Sequence, residues 1–175
     1  MFVDSHCHLA DAQDQVCETV LNRARAMGVQ HFLTIACDMD DVAPMAAFAA
    51  KHHDVSMTVG IHPHEATKTL AAHTKTDVYE FLEKAVHNPD VIGLGEMGYD
   101  FYYNHSDAKD QETLFDLQLN LAAHLNLPVS IHTRHADKET LEHLKRYPQV
   151  TGVIHCFSGS LDLALGALEL GYYIS

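Results

Sequence analysis

The chain has 175 residues, 47% hydrophobic and 20% charged, with nine glycines and five prolines; a chain of that size and balance buries roughly 70% of its unfolded surface without staples, which excludes a disordered segment and a disulfide-dense miniprotein. Eleven Lys and Arg against 24 Asp and Glu leave a formal net charge of −13, which repels polyanions at long range and excludes an extended basic face for nucleic acid. No apolar run approaches the ~20 residues of a membrane span, and Met1-Phe2-Val3-Asp4 has neither the basic start nor the apolar stretch of a signal peptide, so the expectation is a soluble, cytoplasmic protein with no membrane partner.

Taken in order, residues 2–8 read as a strand, followed by a helix whose apolar positions Val16, Val20, Ala24 and Met27 recur at three to four and stop at Gly28. Strands follow at 31–37 and 55–62, then a helix with the stripe Val78, Phe81, Leu82, Ala85 and Val86, and a strand at 91–96. Residues 99–110 are polar and aromatic without a period, and long loops after strands tend to carry function. Leu114, Leu117, Leu121 and Leu125 mark the next helix, ended by Asn126 and Pro128. Strands at 129–132 and 152–156 precede a last helix on Leu161, Leu165 and Leu168, ended by Gly171, with a further strand opening at Tyr172.

Six βα units and the start of a seventh predict an α/β protein, a TIM-type (β/α) barrel forming one domain over residues 1–175. A complete barrel has eight strands and typically ~250 residues, so the expectation is a barrel truncated after six to seven strands, lacking its C-terminal βα units. A doubly wound sheet is the alternative, but Asp4-Ser5-His6-Cys7-His8 is not the Gly-rich first turn such sheets usually carry. The open barrel would expose sheet edges and invite self-association.

Cys7, Cys17, Cys37 and Cys156 show no C-x-x-C spacing and read as reduced thiols without a function. Histidine is the anomaly, 15 of 175 residues. His6 and His8 share one face of their strand while Cys7 points away, so the pair can clamp an ion. By chance about 1.3 His-x-His pairs are expected at this abundance and two occur, the second being His62 and His64, so spacing alone says little. Position says more: Glu96, His132 and His155 each follow an apolar strand, at the edge where barrel active sites lie. Together His6, His8, Glu96, His132 and His155 supply four imidazoles and a carboxylate whose two oxygens can bridge two ions. The prediction is a binuclear divalent centre, with zinc or manganese favoured over magnesium by ligand softness.

Five segments carry a resemblance: residues 2–9 (FVDSHCHL), 60–64 (GIHPH), 95–103 (GEMGYDFYY), 128–134 (PVSIHTR) and 155–160 (HCFSGS). In this order the chain resembles the TatD-type metal-dependent deoxyribonucleases. The resemblance implies a metal-dependent hydrolase in which His6 and His8 hold one ion, His132 and His155 the other, and Glu96, the candidate catalytic residue, bridges them. It also implies phosphodiester hydrolysis on DNA. Two departures stand out. Arg134 is followed by His135-Ala136 where the family reads Asp-Ala, and the family's remaining ligand, an aspartate on the last barrel strand, has no counterpart before Ser175. Asp162 and Glu169 lie in a helical stretch and do not replace it.

A two-ion site reconciles the negative charge with a nucleic-acid substrate, because a strand end or short single strand can be held by its scissile phosphate alone. Arg134 and His64 are the candidate phosphate contacts, and Tyr102 or Tyr103 a stacking face. The plainer alternatives are an Arg134 ion pair, a rigid His62-Pro63-His64 turn, and tyrosines that merely pack. The rival functions are an amide or ester hydrolase on a small substrate and a metal-binding fragment without turnover.

Overall fold

The structure, a computed structural model, describes residues 2–9 and 14–175. Seven strands form one sheet in chain order: β1 (Phe2–Cys7), β2 (Val29–Ile35), β3 (Val55–Val59), β4 (Val91–Asp100), β5 (Val129–Arg134), β6 (Gly152–Ile154) and β7 (Tyr173–Ile174). Every neighbouring pair is parallel, which requires a crossover between strands. These are helices α1 (Asp14–Ala26), α2 (Met39–Ala49), α3 (Ala66–Ala72), α4 (Lys75–Ala85), α5 (Ala108–Leu125), α6 (Asp137–Lys145) and α7 (Leu161–Glu169), with a 3-10 turn at Pro63–Glu65. The sheet curls strongly. His6 on β1 and His155 just after β6 stack with ring centroids 3.3 Å apart, whereas five strand spacings in a flat sheet amount to about 24 Å. This is the curvature of a TIM-type barrel, with β1 and β7 the outermost strands among the described residues.

The core lies between sheet and helices, and α4 and α5 bury the predicted stripes, with Val78, Leu82, Leu114 and Leu121 at or below 1% exposure. The stripes of α1 and α7 are corrected. Val16, Val20, Met27, Leu161, Leu165 and Leu168 are exposed, while Cys17, Leu21, Leu163 and Ala167 face the sheet. Both helices are apolar on two faces, and periodicity does not say which face meets the sheet. The strand boundaries also shift. β4 runs four residues past Glu96, so Glu96 sits within the strand, and only residues 101–107 remain of the anticipated loop. Three helices were not anticipated. α2 begins where Asp38 accepts from the Asp40 and Asp41 amides, α3 is only seven residues long, and α6 is largely polar, burying Thr140, His143 and Leu144.

Two polar contacts fasten this shell. On the outer side of β4 the Tyr99 hydroxyl lies 2.9 Å from His143 Nδ1, and His143 Nε2 lies 3.1 Å from Asp116 Oδ1, tying α6 and α5 to the strand. Arg25 of α1 donates twice to Asp54, which leads into β3, with both N···O distances 2.7 Å. The Arg25 hydrogen bonds hold the Asp54 carboxyl below its ordinary pKa, against the effect of burial. A carboxyl depressed in the folded state stabilises above its unfolded pKa, about 4, and loses that contribution as pH falls through the lower folded value. Asp54→Asn is therefore expected to cost about 2 kcal/mol at pH 7 and progressively less in strong acid. Urea unfolding of both proteins at pH 7 and in acid checks this; a gap that stays constant with pH refutes it.

Candidate metal centre

The strand ends deliver histidines and carboxylates to one mouth of the curled sheet. Cys7 points the other way, its Sγ 3.4 Å from the Leu33 carbonyl, and burial, with Asp4 and Cys17 nearby, pushes its thiol up to about 12. Across the mouth, Glu96 on β4 is buried at 3% exposure. Its Oε2 lies 3.2 Å from His6 Nε2 and 3.9 Å from His8 Nε2. Its Oε1 lies 2.8 Å from His132 Nδ1 and 3.9 Å from His62 Nε2. Each oxygen thus faces its own pair of imidazoles. Gly98 makes this approach possible, because at its φ of 141° an added Cβ would overlap the His132 carbonyl oxygen and part β4 from β5.

A second carboxylate stands behind the first. Asp100 is fully buried, and its Oδ2 accepts from His64 Nε2 at 2.9 Å and His132 Nε2 at 3.0 Å. Its Oδ1 accepts from the Tyr102 and Tyr103 amides at 3.0 and 2.9 Å. His62 caps the turn that aims His64, accepting from the His64 amide through Nδ1 at 3.1 Å. The anticipated rigid turn is present, and it also carries donors into the site.

The electrostatics suit a cation. Burial opposes the charge on Glu96, but hydrogen bonds from His132 and His6 outweigh it and hold the carboxyl well below its usual range. Asp100 is held at about 2, burial being outweighed by the Tyr103 amide, His64 and His132. Burial pushes His62 down to about 3 despite Glu96, and burial with His6 beside it pushes His155 down to about 4. These two neutral imidazoles keep the lone pair that a metal ion takes, whereas at His132 burial is outweighed by the hydrogen bonds and charge of Glu96 and Asp100, which raise its pKa. Buried His6 Nδ1 has no hydrogen-bond partner among the described residues. The donor set of imidazoles and ionised carboxylates fits divalent ions, and among the described residues three groups of donors converge: His6, His8 and Glu96; His62, Glu96 and His132; His64, Asp100 and His132.

Of the sequence-predicted ligands, His6, His8, Glu96 and His132 meet with their donor atoms. His155 reaches the same cavity, about 510 Å³, with its ring against His6, but joins none of the convergent groups among the described residues. Arg134 and His64 line that cavity as well. Arg134 pairs with no acid among the described residues; its guanidinium lies over the Tyr102 and Tyr103 rings, 4.6 and 4.9 Å from their centroids. The sequence reading missed His62 as a donor and Asp100 altogether. Asp100 is four residues beyond Glu96 on one strand, hence on the same face, a signal that needed β4 read to its true end. A larger cavity, about 740 Å³, lies outside between α4 and α5, lined by Lys75, Glu80, Glu112 and Arg146 among others. No group of convergent metal donors falls there among the described residues.

A family model described as TatD related DNase matches residues 3–175. The chain belongs to the TatD family. The 3'-5' ssDNA/RNA exonuclease TatD of Pantoea ananatis is 36% identical over 157 residues, covering 88% of this chain and 58% of that protein. The uncharacterized metal-dependent hydrolase YabD of Bacillus subtilis is 30% identical over 178 residues, covering 100% of this chain and 68% of that one. In structure the chain matches the TatD homologue YjjV of Escherichia coli K12 with a TM-score of 0.86 and 33% identity, over 99% of this chain and 66% of the other. The phosphotriesterase homology protein of E. coli, at 15% identity and a TM-score of 0.69, shares the fold alone. The chain thus spans about 58–68% of the length of these three TatD relatives. No helix of the described residues is long and apolar enough to cross a membrane.

Proposed function

We propose that this chain is a metal-dependent hydrolase that cleaves phosphodiester bonds at strand ends or in short single strands of DNA, using two divalent ions (zinc, manganese or magnesium). The observation that carries this reading is the Glu96 carboxylate, each oxygen of which faces a separate pair of imidazoles. His6, His8 and Oε2 would hold one ion. His132 and Oε1 would hold the other, with His155 and His62 beside them. Ions bound there supply an activated water and neutralise the phosphate charge. The chain's own groups orient the substrate. Arg134 has guanidinium donors that no described acid occupies, and it lies with His64 on the same cavity wall, so the two can take the non-bridging phosphate oxygens. Asp100 fixes His132 and His64 in place.

The test is degradation of an end-labelled single-stranded oligodeoxynucleotide by the purified chain with magnesium, manganese or zinc, before and after chelation. The expected result is metal-dependent release of nucleotides, abolished by chelator. Bound metal with no cleavage of DNA, but with turnover of amide or ester substrates, would overturn the phosphodiester reading in favour of a carbonyl hydrolase.

We also propose self-association. Among the described residues β1 and β7 each have one strand neighbour, and Phe2, Val3 and Tyr173 on these strands are exposed together with Leu161, Leu165 and Leu168 of α7. Unpaired parallel edges flanked by apolar surface favour pairing with another chain. Light scattering should show mass rising with concentration; a monomer throughout refutes the proposal.

A further inference from the structure

We propose that Tyr102, Tyr103 and Arg134 form a nucleobase-binding platform at the mouth of the metal centre, and that its ligand is the unstacked base next to the phosphate being cleaved. The proposal rests on the phosphodiester reading above. Both tyrosines lie in the segment after β4 and leave about half their surface to solvent, 53% and 49% exposed. Their rings meet edge to face with centroids 4.8 Å apart, and the Arg134 guanidinium carbon lies 4.6 and 4.9 Å from the two centroids. Tyrosines used only for packing would bury their faces against the core. Tyr103 also stacks on His105 with centroids 5.8 Å apart and Tyr102 meets His135 edge on, yet both rings stay half exposed beside Arg134, which lines the cavity. Exposed aromatic and guanidinium surfaces are the two kinds on which splayed bases stack.

Two further observations point the platform at the substrate. The Arg134 side chain makes no hydrogen bond or ion pair with any described residue, its backbone carbonyl accepting from the Phe101 amide at 3.0 Å, although the chain carries 24 acids. Its guanidinium donors are therefore open to a ligand in the cavity that Arg134 lines, while the group rests against the two rings. The platform is also registered to the ion ligands. One oxygen of Asp100 accepts from the Tyr102 and Tyr103 amides, the other from His64 and His132. The Tyr103 ring meets His64 edge on, with centroids 5.7 Å apart. A phosphate contacting His64 would thus have its nearest base beside Tyr103. Stacking tolerates any base because every base has a π-face, and it requires an unpaired strand because in a duplex those faces are already covered.

Fluorescence anisotropy on the manganese-loaded chain separates this from simple phosphate binding. The probes are two labelled phosphorothioate oligomers of equal length, one with normal bases and one with abasic tetrahydrofuran residues. The expected result is a preference for the base-bearing strand of roughly 10- to 100-fold. The Tyr102→Ala/Tyr103→Ala variant should lose that preference, with its affinity for the abasic strand and its metal content unchanged. Tyr102→Phe/Tyr103→Phe should keep the preference, since it keeps the faces; Tyr102→Ala alone gives a milder variant should the double one fail to fold. Equal binding of both strands by the parent chain overturns the platform while leaving the phosphodiester reading standing. So does a parallel loss for both strands in the alanine variants, which would mark a structural role, or loss of preference in the phenylalanine pair. If the loaded chain binds neither strand, the phosphodiester reading falls and the platform with it.

Discussion

On the two-ion proposal, replacing Glu96 with Gln is expected to remove both ions together rather than one. Among the described residues the carboxylate is the only group whose two oxygens each face a histidine pair, so its loss takes an anionic ligand from both positions at once. Gln keeps the shape but offers a single neutral acceptor and an NH2 group that repels a cation. The His6 and His132 rings would remain where β1 and β5 place them, without the charge that draws a cation between them. Elemental analysis after gel filtration should show metal content falling toward zero in this variant, whereas His8→Ala, on one side of the bridge, should give up one ion. If the proposed hydrolysis runs on those ions, their loss is expected to cost about 10³-fold in rate. A Gln variant that retains two ions would refute the shared bridge.

Asp100→Asn tests the layer behind the proposed ligands. All the acceptor capacity that Asp100 shows is spent on four donors, two backbone amides and two imidazoles. An amide can satisfy one of these pairs with its oxygen, but its NH2 must then point at the other pair, donor against donor. His132 would lose the partner that fixes the far nitrogen of its ring, and with it a defined orientation toward Glu96. Partners of this kind typically contribute 10–100-fold to metal affinity or activity, and a loss in that range is expected. Competition against a fluorescent chelator measures it; unchanged affinity would mean that β5 alone orients the ring.

How much of this was legible in the sequence varied with the kind of signal. The alternation of short apolar runs with helical stretches carried the parallel sheet, because each run had to be buried on both faces. His6, His8, Glu96 and His132 were legible because each lies at or near the end of such a run. Asp100 was hidden by its neighbours. Tyr99, Phe101, Tyr102 and Tyr103 made that stretch look like an irregular loop, when the strand in fact continues through Asp100 with Tyr99 packed outward. His62 was read only as half of a spacing, since nothing local tells that the turn after β3 bends back over β4. The inward faces of α1 and α7 were not legible either. Leu161, Leu165 and Leu168 form the more regular stripe, yet Leu163 and Ala167 are the positions the sheet covers, and that choice is made by the chain's three-dimensional path.

The pleat of β4 has a consequence for how this protein tolerates change. Glu96, Gly98 and Asp100 look into the mouth, whereas Tyr99 between them is held from outside by His143 and packs on Phe115. Successive codons of one short strand therefore answer to different demands, the even positions to donor geometry and Tyr99 to the fit of α5 and α6. Substitutions that loosen the outer fit can accumulate and be compensated from the helices without touching a donor atom, while the inward row has no such latitude. Divergence along this strand would then follow an alternating rhythm, with drift on one side of the peptide plane and constancy on the other.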